Sequence, residues 1–122
     1  VLGREGLDAI SISGETLVGE LKDGRLEEYT VHPEQFNLPV HDPRVLRVGN
    51  VEESKAVLLA ALENRSGAAR DIVALNAGAS IYVSGLAATL ADGVDKAFET
   101  IASGAARARL DDFVAYTRRV SA

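Results

Sequence analysis

The segment best suited to chemistry lies within the first eight residues. Glycines and acids are interspersed in Gly3-Arg4-Glu5-Gly6-Leu7-Asp8, just before a strand-like pattern. A carboxylate at a loop–strand junction can be presented to a metal–phosphate complex, because magnesium is usually held by one or two carboxylates together with water and substrate phosphates. Spacing alone leaves two interpretations open, a magnesium ligand at Asp8 and a plain turn, of which the turn is the commoner.

No other motif predicts a self-contained active site. The sequence has neither a Gly-x-x-x-x-Gly-Lys phosphate loop nor a Gly-x-Ser-x-Gly nucleophile elbow, and Ser84-Gly85 is typical of a helix end. No carboxylate and nucleophile pattern surrounds His32 or His41. We interpret both as solvated or hydrogen-bonded loop residues rather than general bases.

Paired acids and a basic terminal helix have ordinary structural explanations. Glu27 and Glu28 are strand neighbours, whose side chains point to opposite faces. Glu52-Glu53 falls in a first helical turn, where the helix dipole favours negative charge. The last predicted helix could offer a phosphate or nucleic-acid patch, although helix-end cations and ion pairs are commoner. Its basic residues are Arg107, Arg109, Arg118 and Arg119.

The amino-acid composition and net charge exclude several classes of protein. The 122 residues are 47% hydrophobic and 25% charged, which is typical of one globular domain. A net charge of −5 argues against a general nucleic-acid binder, and no apolar run approaches the roughly 20 residues of a membrane span. The absence of cysteine excludes disulfides and fits a cytoplasmic location. Methionine is also absent, even at position 1, which hints that the chain begins inside a longer protein.

The first 49 residues predict strands, a hairpin and a connector. Apolar and polar residues alternate at 10–13, as in a half-buried strand. Residues 16–21 and Arg25–Val31 form the arms of a hairpin around Asp23-Gly24, since this dipeptide supplies the positive φ angles of a tight turn. The prolines of residues 32–49 favour a connector with one helical turn at Pro33–Phe36. We expect it to be packed through Phe36, Leu38 and Val40.

Residues 50–122 predict four helices. They are Val51–Leu62 with Asn50 as its cap, Ala68–Val83, a helix from residue 89 or 90 to 103, and Ala105–Val120. The expected inward residues are Val57, Leu58, Ala61 and Leu62; Ile72, Val73, Leu75, Ala79 and Tyr82; Val94, Ala97, Phe98 and Ile101; and Leu110, Phe113, Val114 and Thr117. Strands followed by about four helices predict an α+β fragment, or the tail of an α/β domain.

The whole chain resembles the anthranilate phosphoribosyltransferase family. The resemblance rests on the order and spacing of several segments rather than on one motif. They are Gly6-Leu7-Asp8-Ala9-Ile10-Ser11, Leu17-Val18-Gly19-Glu20-Leu21-Lys22-Asp23-Gly24, Glu28-Tyr29, Pro33-Glu34-Gln35-Phe36-Asn37-Leu38-Pro39, the helical run from Asn64 to Gly78, and Ser103-Gly104-Ala105-Ala106.

The resemblance implies that residues 1–122 are the C-terminal part of a large α/β domain with a nucleoside phosphorylase/phosphoribosyltransferase-like fold. Residues 1–49 would be its strands, hairpin and connector, and residues 50–122 its helical part. The full enzyme transfers phosphoribosyl from phosphoribosyl pyrophosphate to anthranilate in tryptophan biosynthesis and requires magnesium. Its small N-terminal domain forms the homodimer. The glycine-rich diphosphate loop and the anthranilate-contacting residues lie upstream, so the fragment alone is expected to be inactive.

One functional motif of the family falls inside this chain. Asp8 matches the aspartate of an adjacent Asp-Glu pair that binds magnesium, whereas Ala9 stands where the family has glutamate. Leu2 replaces a common histidine. The loss of one hard oxygen ligand implies weaker magnesium binding at Asp8.

Two other hypotheses stay open, a non-catalytic relative that binds a ligand or partner, and a purely structural module.

Because strands cut from a larger parallel sheet would expose an edge and an apolar face, we also expect the fragment to self-associate or to hide that edge.

Overall fold

A computed structural model describes residues 1–121 and divides the chain into two compact units, Val1–Arg47 and the residues from Val48 onward. The first unit contains three strands and two short 3-10 helices, and the second contains four α-helices. The order of strands and then helices confirms the predicted α+β class.

The first unit is built on an antiparallel sheet. Its strands are β1 (Leu2–Gly3), β2 (Thr16–Lys22) and β3 (Arg25–Val31), in the order β1-β2-β3. The β2–β3 turn places Asp23 at φ 51° and Gly24 at φ 76°. Two consecutive positive φ angles are what a two-residue type I′ hairpin turn requires, which confirms the hairpin predicted from Asp-Gly.

The two faces of this sheet differ sharply in exposure. On one face Thr16, Val18 and Val31 are buried. On the other, Leu21 lies directly opposite Leu26, and these two side chains are 75% and 69% exposed. Leu2 and Leu17, also a cross-strand pair, are half exposed on that second face. The sheet therefore presents an apolar surface to its surroundings.

The strand predicted at residues 10–13 is wrong. Ile10 and Ile12 are buried, as the alternation required, but the segment forms a loop without strand pairing. Side chains bind its amides instead: Ser11 N donates to Thr16 Oγ1 over 2.9 Å, and Ser13 N donates to Ser11 Oγ over 3.0 Å. Local hydrogen bonds to hydroxyls thus compete successfully with a sheet ladder.

The connector of residues 32–49 contains two short 3-10 helices. Pro33–Phe36 lies where the sequence predicted a helical turn, and Pro43–Leu46, capped by Asp42, was not predicted. Phe36 and Leu38 are half-buried, whereas Val40 is 48% exposed, so its expected packing role was wrong.

The second unit consists of α1 (Val51–Leu62), α2 (Ala68–Val83), α3 (Leu90–Ala102) and α4 (Ala105–Val120). Asn50 caps α1 by accepting a hydrogen bond from Glu53 N at 2.8 Å, and Thr89 caps α3 by accepting one from Asp92 N at 3.1 Å. These caps confirm the predicted helix starts. Across residues 1–121, none of the helices has the length and apolar character needed to cross a membrane.

Close packing of α2 on α3 forms the centre of the helical core. Ala74, Leu75, Val94 and Ala97 are at most 3% exposed. A Cβ on Gly78 would lie only 2.5 Å from Val94 Cα, and one on Gly93 would collide with the Gly78 carbonyl. Two expected inward residues are in fact exposed, Phe113 at 62% and Leu58 at 45%. Where α2 crosses α3, Gly78 and Gly93 allow the two helix backbones to approach.

Candidate functional site

The candidate magnesium ligand Asp8 lies on a loop closed by backbone hydrogen bonds. Gly3 N donates to Leu7 O, and Gly6 N donates to Gly3 O, both over 2.8 Å. Gly6 adopts φ 93°, a left-handed conformation that favours glycine. The turn ends just before Asp8, which therefore follows a fixed reversal of the chain rather than a strand.

A carboxylate and two serine hydroxyls meet beside this loop. Glu5 Oε1 accepts hydrogen bonds from the hydroxyls of Ser11 and Ser13, the latter over 2.7 Å. The two hydroxyl oxygens lie 2.8 Å apart, and Ser11 is only 1% exposed. The contacts join residues on either side of Asp8 in the sequence.

The electrostatics of this cluster favour an ionised Glu5. Partial burial raises the pKa of the Glu5 carboxyl, but hydrogen bonds from Ser11, Ser13 and its own backbone amide outweigh that effect, so the pKa lies below its ordinary value. An ionised carboxylate is the stronger acceptor for the two hydroxyls.

Sequence reasoning missed the serines, because the alternation at residues 10–13 was interpreted as a strand. The same alternation contained the useful pattern: two hydroxyls separated by one residue can lie on one side of an extended segment and share an acceptor.

The side chains around Asp8 suit magnesium only if the ion is shared with substrate oxygens and water. Asp8 is exposed, and Ala9 offers no side-chain oxygen. Within residues 1–121, no group of three or more His, Cys, Asp or Glu side chains is placed to hold a metal ion. One exposed carboxylate is a suitable ligand where substrate oxygens and water fill the remaining positions of the octahedron.

An open cleft of about 440 Å³ adjoins the loop. Leu2 and Leu17 supply its apolar wall, and Gly3 and Gly6 bring backbone to its surface. Its cation, Arg4, forms an ion pair with Glu15, with Arg4 Nη2 3.3 Å from Glu15 Oε2. Arg4 is already paired and largely exposed, so the cleft resembles an uncovered packing surface more than a substrate pocket.

The two histidines have structural partners. His32 caps the first 3-10 helix, where its Nδ1 accepts a hydrogen bond from Glu34 N at 3.3 Å. His41 donates its backbone N–H to Ile12 O over 2.9 Å, which ties the connector to the segment after Asp8. Neither contact supplies a nucleophile or substrate for a general base.

The paired acids do not converge on a site. Glu27 lies opposite Glu20 and Glu28 opposite Gly19, so these neighbours belong to opposite sheet faces. In α1, Glu53 Oε2 accepts a hydrogen bond from Gly49 N at 2.7 Å, a helix-capping role.

The arginines of α4 include two with identified partners. Arg107 pairs with Glu63 and lies 3.2 Å from Asp111 Oδ1, and Arg119 lies over the Tyr116 ring. Ion pairing therefore accounts for Arg107, and a contact with an aromatic ring for Arg119.

A second charged group, missed by sequence reasoning, is buried in the helical unit. Asp71 is 2% exposed, and Arg70 Nη2 lies 3.5 Å from its Oδ1. The Arg70 guanidinium also lies 5.4 Å from the centre of the Phe98 ring. Arg70 therefore contacts Asp71 within α2 and Phe98 on α3.

Comparison with known proteins places the chain in a class. Residues 1–107 match the glycosyl transferase family, a/b domain, and the chain belongs to that family. It is a homologue of anthranilate phosphoribosyltransferase. The enzyme of Burkholderia multivorans is 50% identical over 119 residues, and that of Xanthomonas oryzae pv. oryzae 52% identical over 121 residues.

The matching segments cover 98% and 99% of this chain but 35% of each relative, so the chain spans about a third of their length. The crystal structure of anthranilate phosphoribosyltransferase from Thermus thermophilus superimposes with a TM-score of 0.83 and 36% identity, covering 93% of this chain and 34% of that one. The enzyme of Saccharomyces cerevisiae superimposes with a TM-score of 0.77 at 24% identity over 93% of this chain and 33% of that one, which supports the fold alone.

Proposed function

We propose that this chain is the C-terminal part of the large α/β domain of an anthranilate phosphoribosyltransferase. The whole enzyme would transfer phosphoribosyl from phosphoribosyl pyrophosphate to anthranilate, with N-(5-phosphoribosyl)anthranilate and pyrophosphate as products. The observation that carries the proposal is about 50% identity sustained over 98% of the chain. A homodimer formed through the N-terminal domain would complete the active protein.

The chain would contribute positioning to this reaction. Magnesium bound to the substrate diphosphate would neutralise charge on the leaving group. Asp8 would provide one carboxylate ligand, held after the turn that Gly3 and Gly6 close. Ala9 provides no second ligand, so the site relies on Asp8, water and substrate oxygens.

A segment exchange tests the proposal in a complete enzyme. The matching 119 residues of the Burkholderia multivorans relative would be replaced by the corresponding residues of this chain. We expect the exchanged enzyme to form phosphoribosyl-anthranilate in a fluorescence assay, because the segment retains the fold and Asp8. A folded dimer without turnover would contradict the proposal.

Because Ala9 supplies no second magnesium ligand, the magnesium dependence of the exchanged enzyme provides a more specific test. In the exchanged enzyme, Ala9→Glu should lower the magnesium concentration for half-maximal rate about threefold or more, because it restores a hard oxygen ligand. Ala115→Glu, at an exposed alanine of α4, is the matched control and should leave that concentration unchanged. An unchanged magnesium dependence in the Ala9 variant would remove residues 8–9 from the metal site.

The 122 residues alone are expected to give no product, because they contain no phosphate-binding loop. The second candidate function is a non-catalytic, ligand-binding relative, which Ala9 in place of an acidic ligand favours. It predicts a folded exchanged enzyme that stays inactive even with Ala9→Glu.

A further inference from the structure

The contacts of Glu5 with Ser11 and Ser13 enclose the loop that carries Asp8. We propose that Glu5, Ser11 and Ser13 form a clasp that sets the conformation of residues 6–10, and that Glu5 is a positioning residue acting through Asp8. The metal role of Asp8 rests on the proposed function, whereas the clasp is testable without it.

Ser11 is the centre of the clasp. Its hydroxyl donates to Glu5 Oε1 and accepts a hydrogen bond from Ser13 N at 3.0 Å. Its amide donates to Thr16 Oγ1, and Thr16 is fully buried at the start of β2. A continuous chain of hydrogen bonds therefore joins Glu5, before the loop, to the sheet behind it.

Ser13 provides the clasp with a second hydrogen-bond donor to Glu5. Ser13 Oγ donates to the same Glu5 oxygen that Ser11 reaches. Two hydroxyl donors converging on one oxygen require a strong acceptor, and a carboxylate at Glu5 meets that requirement. The lowered pKa of the Glu5 carboxyl agrees with this charge state.

Asp8 lies between two fixed ends of the loop. On its N-terminal side, Gly6 N and Leu7 O are both bound to Gly3. A Cβ at Gly3 would lie 2.9 Å from Glu5 Oε2, so the Glu5 side chain folds closely over this turn. On its C-terminal side, Ser11 is bound to Glu5 and Thr16. One carboxylate therefore spans both ends of the segment that presents Asp8.

Amide hydrogen exchange of the 122-residue chain is the deciding measurement. Glu5→Ala should accelerate exchange at the Ser11 and Ser13 amides and within residues 6–10 about tenfold or more, while the β2–β3 hairpin changes less than twofold. Glu5→Gln keeps an acceptor oxygen but loses the charge, so its exchange rates should lie between those of the parent chain and Glu5→Ala. Glu27→Ala, at another exposed glutamate of the first unit, is the matched control.

Paramagnetic broadening of amide resonances by manganese distinguishes a positioning role of Glu5 from a merely structural one. A glutamate with only a structural role would not change metal binding at Asp8. With Mn²⁺ and inorganic pyrophosphate together as the probe, amides around Asp8 should broaden in the parent chain, because the ion is shared between Asp8 and phosphate oxygens. Glu5→Ala should weaken that binding about threefold or more. Asp8→Asn should abolish the broadening. Broadening unaffected by Glu5→Ala would overturn the positioning role.

The two proposals fail in distinguishable ways. Unchanged exchange of residues 6–10 in Glu5→Ala overturns the clasp, whatever the enzyme assay shows. If the parent chain shows no manganese effect, the action of Glu5 through Asp8 is contradicted. An inactive exchanged enzyme, with the predicted exchange and manganese results, contradicts the transferase assignment and supports the clasp.

Discussion

Each of the two units of this chain is stabilised internally by a different kind of contact. In residues 1–47, a loop is fixed by side-chain hydrogen bonds, and the sheet leaves one apolar face exposed. In the helical unit, the residues that decide the packing are small: Ala74 and Ala97 are buried, and Gly78 meets Gly93 where α2 approaches α3.

The difference concerns function as well as stability. The first unit carries the candidate ligand Asp8 on a loop between β1 and β2, and a loop can present a carboxylate that a closely packed helix pair would bury. The helical unit provides a compact core and ion pairs such as Arg107–Glu63.

The helical unit should be highly sensitive to added volume at the α2–α3 crossing. Gly93→Ala should lower the free energy of unfolding by about 2 kcal/mol or more, because backbone collision exceeds the roughly 1 kcal/mol that alanine gains in helix propensity. Urea unfolding followed by circular dichroism measures the change.

Gly14→Ala is the control for that experiment, since a Cβ there meets no atom within 4 Å. It should alter stability by less than about 0.5 kcal/mol. Equal effects of the two substitutions would show that the α2–α3 contact is looser than the structure indicates.

The exposed leucines of the sheet should affect association more than folding. Leu26→Ser removes an exposed apolar side chain and should change the free energy of unfolding by less than about 0.5 kcal/mol. We expect self-association measured by sedimentation velocity to weaken about fivefold, because the apolar surface is broken.

Leu58→Ser on α1 is the comparison, since this leucine is 45% exposed outside the sheet. It should leave association nearly unchanged. If the parent chain is strictly monomeric at high concentration, the sheet face does not drive self-association.

The smallest effect concerns acid pH and the first unit. Because the pKa of Glu5 is lower in the folded chain than its ordinary value, ionised Glu5 stabilises the fold above the unfolded pKa of about 4.3. That contribution is lost as pH falls from this value through the folded pKa. The stability difference between the parent chain and Glu5→Gln should therefore shrink below about pH 4.3.

Urea unfolding at several pH values between neutrality and about pH 3 measures that difference. A difference that stays constant over the range would show that Glu5 ionisation is not linked to folding.

The sequence predicted those features that depend on a few neighbouring residues. Asp23-Gly24 determined the hairpin turn, and the Asn50 side chain determined the start of α1, because both act through contacts within three residues. The candidate ligand Asp8 was also identified from sequence, although only the family resemblance distinguished it from a turn residue.

Periodicity was a weaker guide where side chains could find other partners. The alternation at residues 10–13 predicted buried isoleucines and a strand, but only the burial was right, since Ser11 and Thr16 supplied the hydrogen bonds. In α4, Phe113 fits the expected inward stripe yet is exposed, because periodicity defines a helix face without defining what covers it.

By itself, the sequence determined the strands of the hairpin, the four helices and the Asn50 cap of α1, because turn and cap preferences are short-range. Only the tertiary structure decided that Glu5 joins Ser11 and Ser13 and that Gly78 meets Gly93. Both contacts require segments to be brought together by the folded chain, and residue type alone does not specify which segments meet.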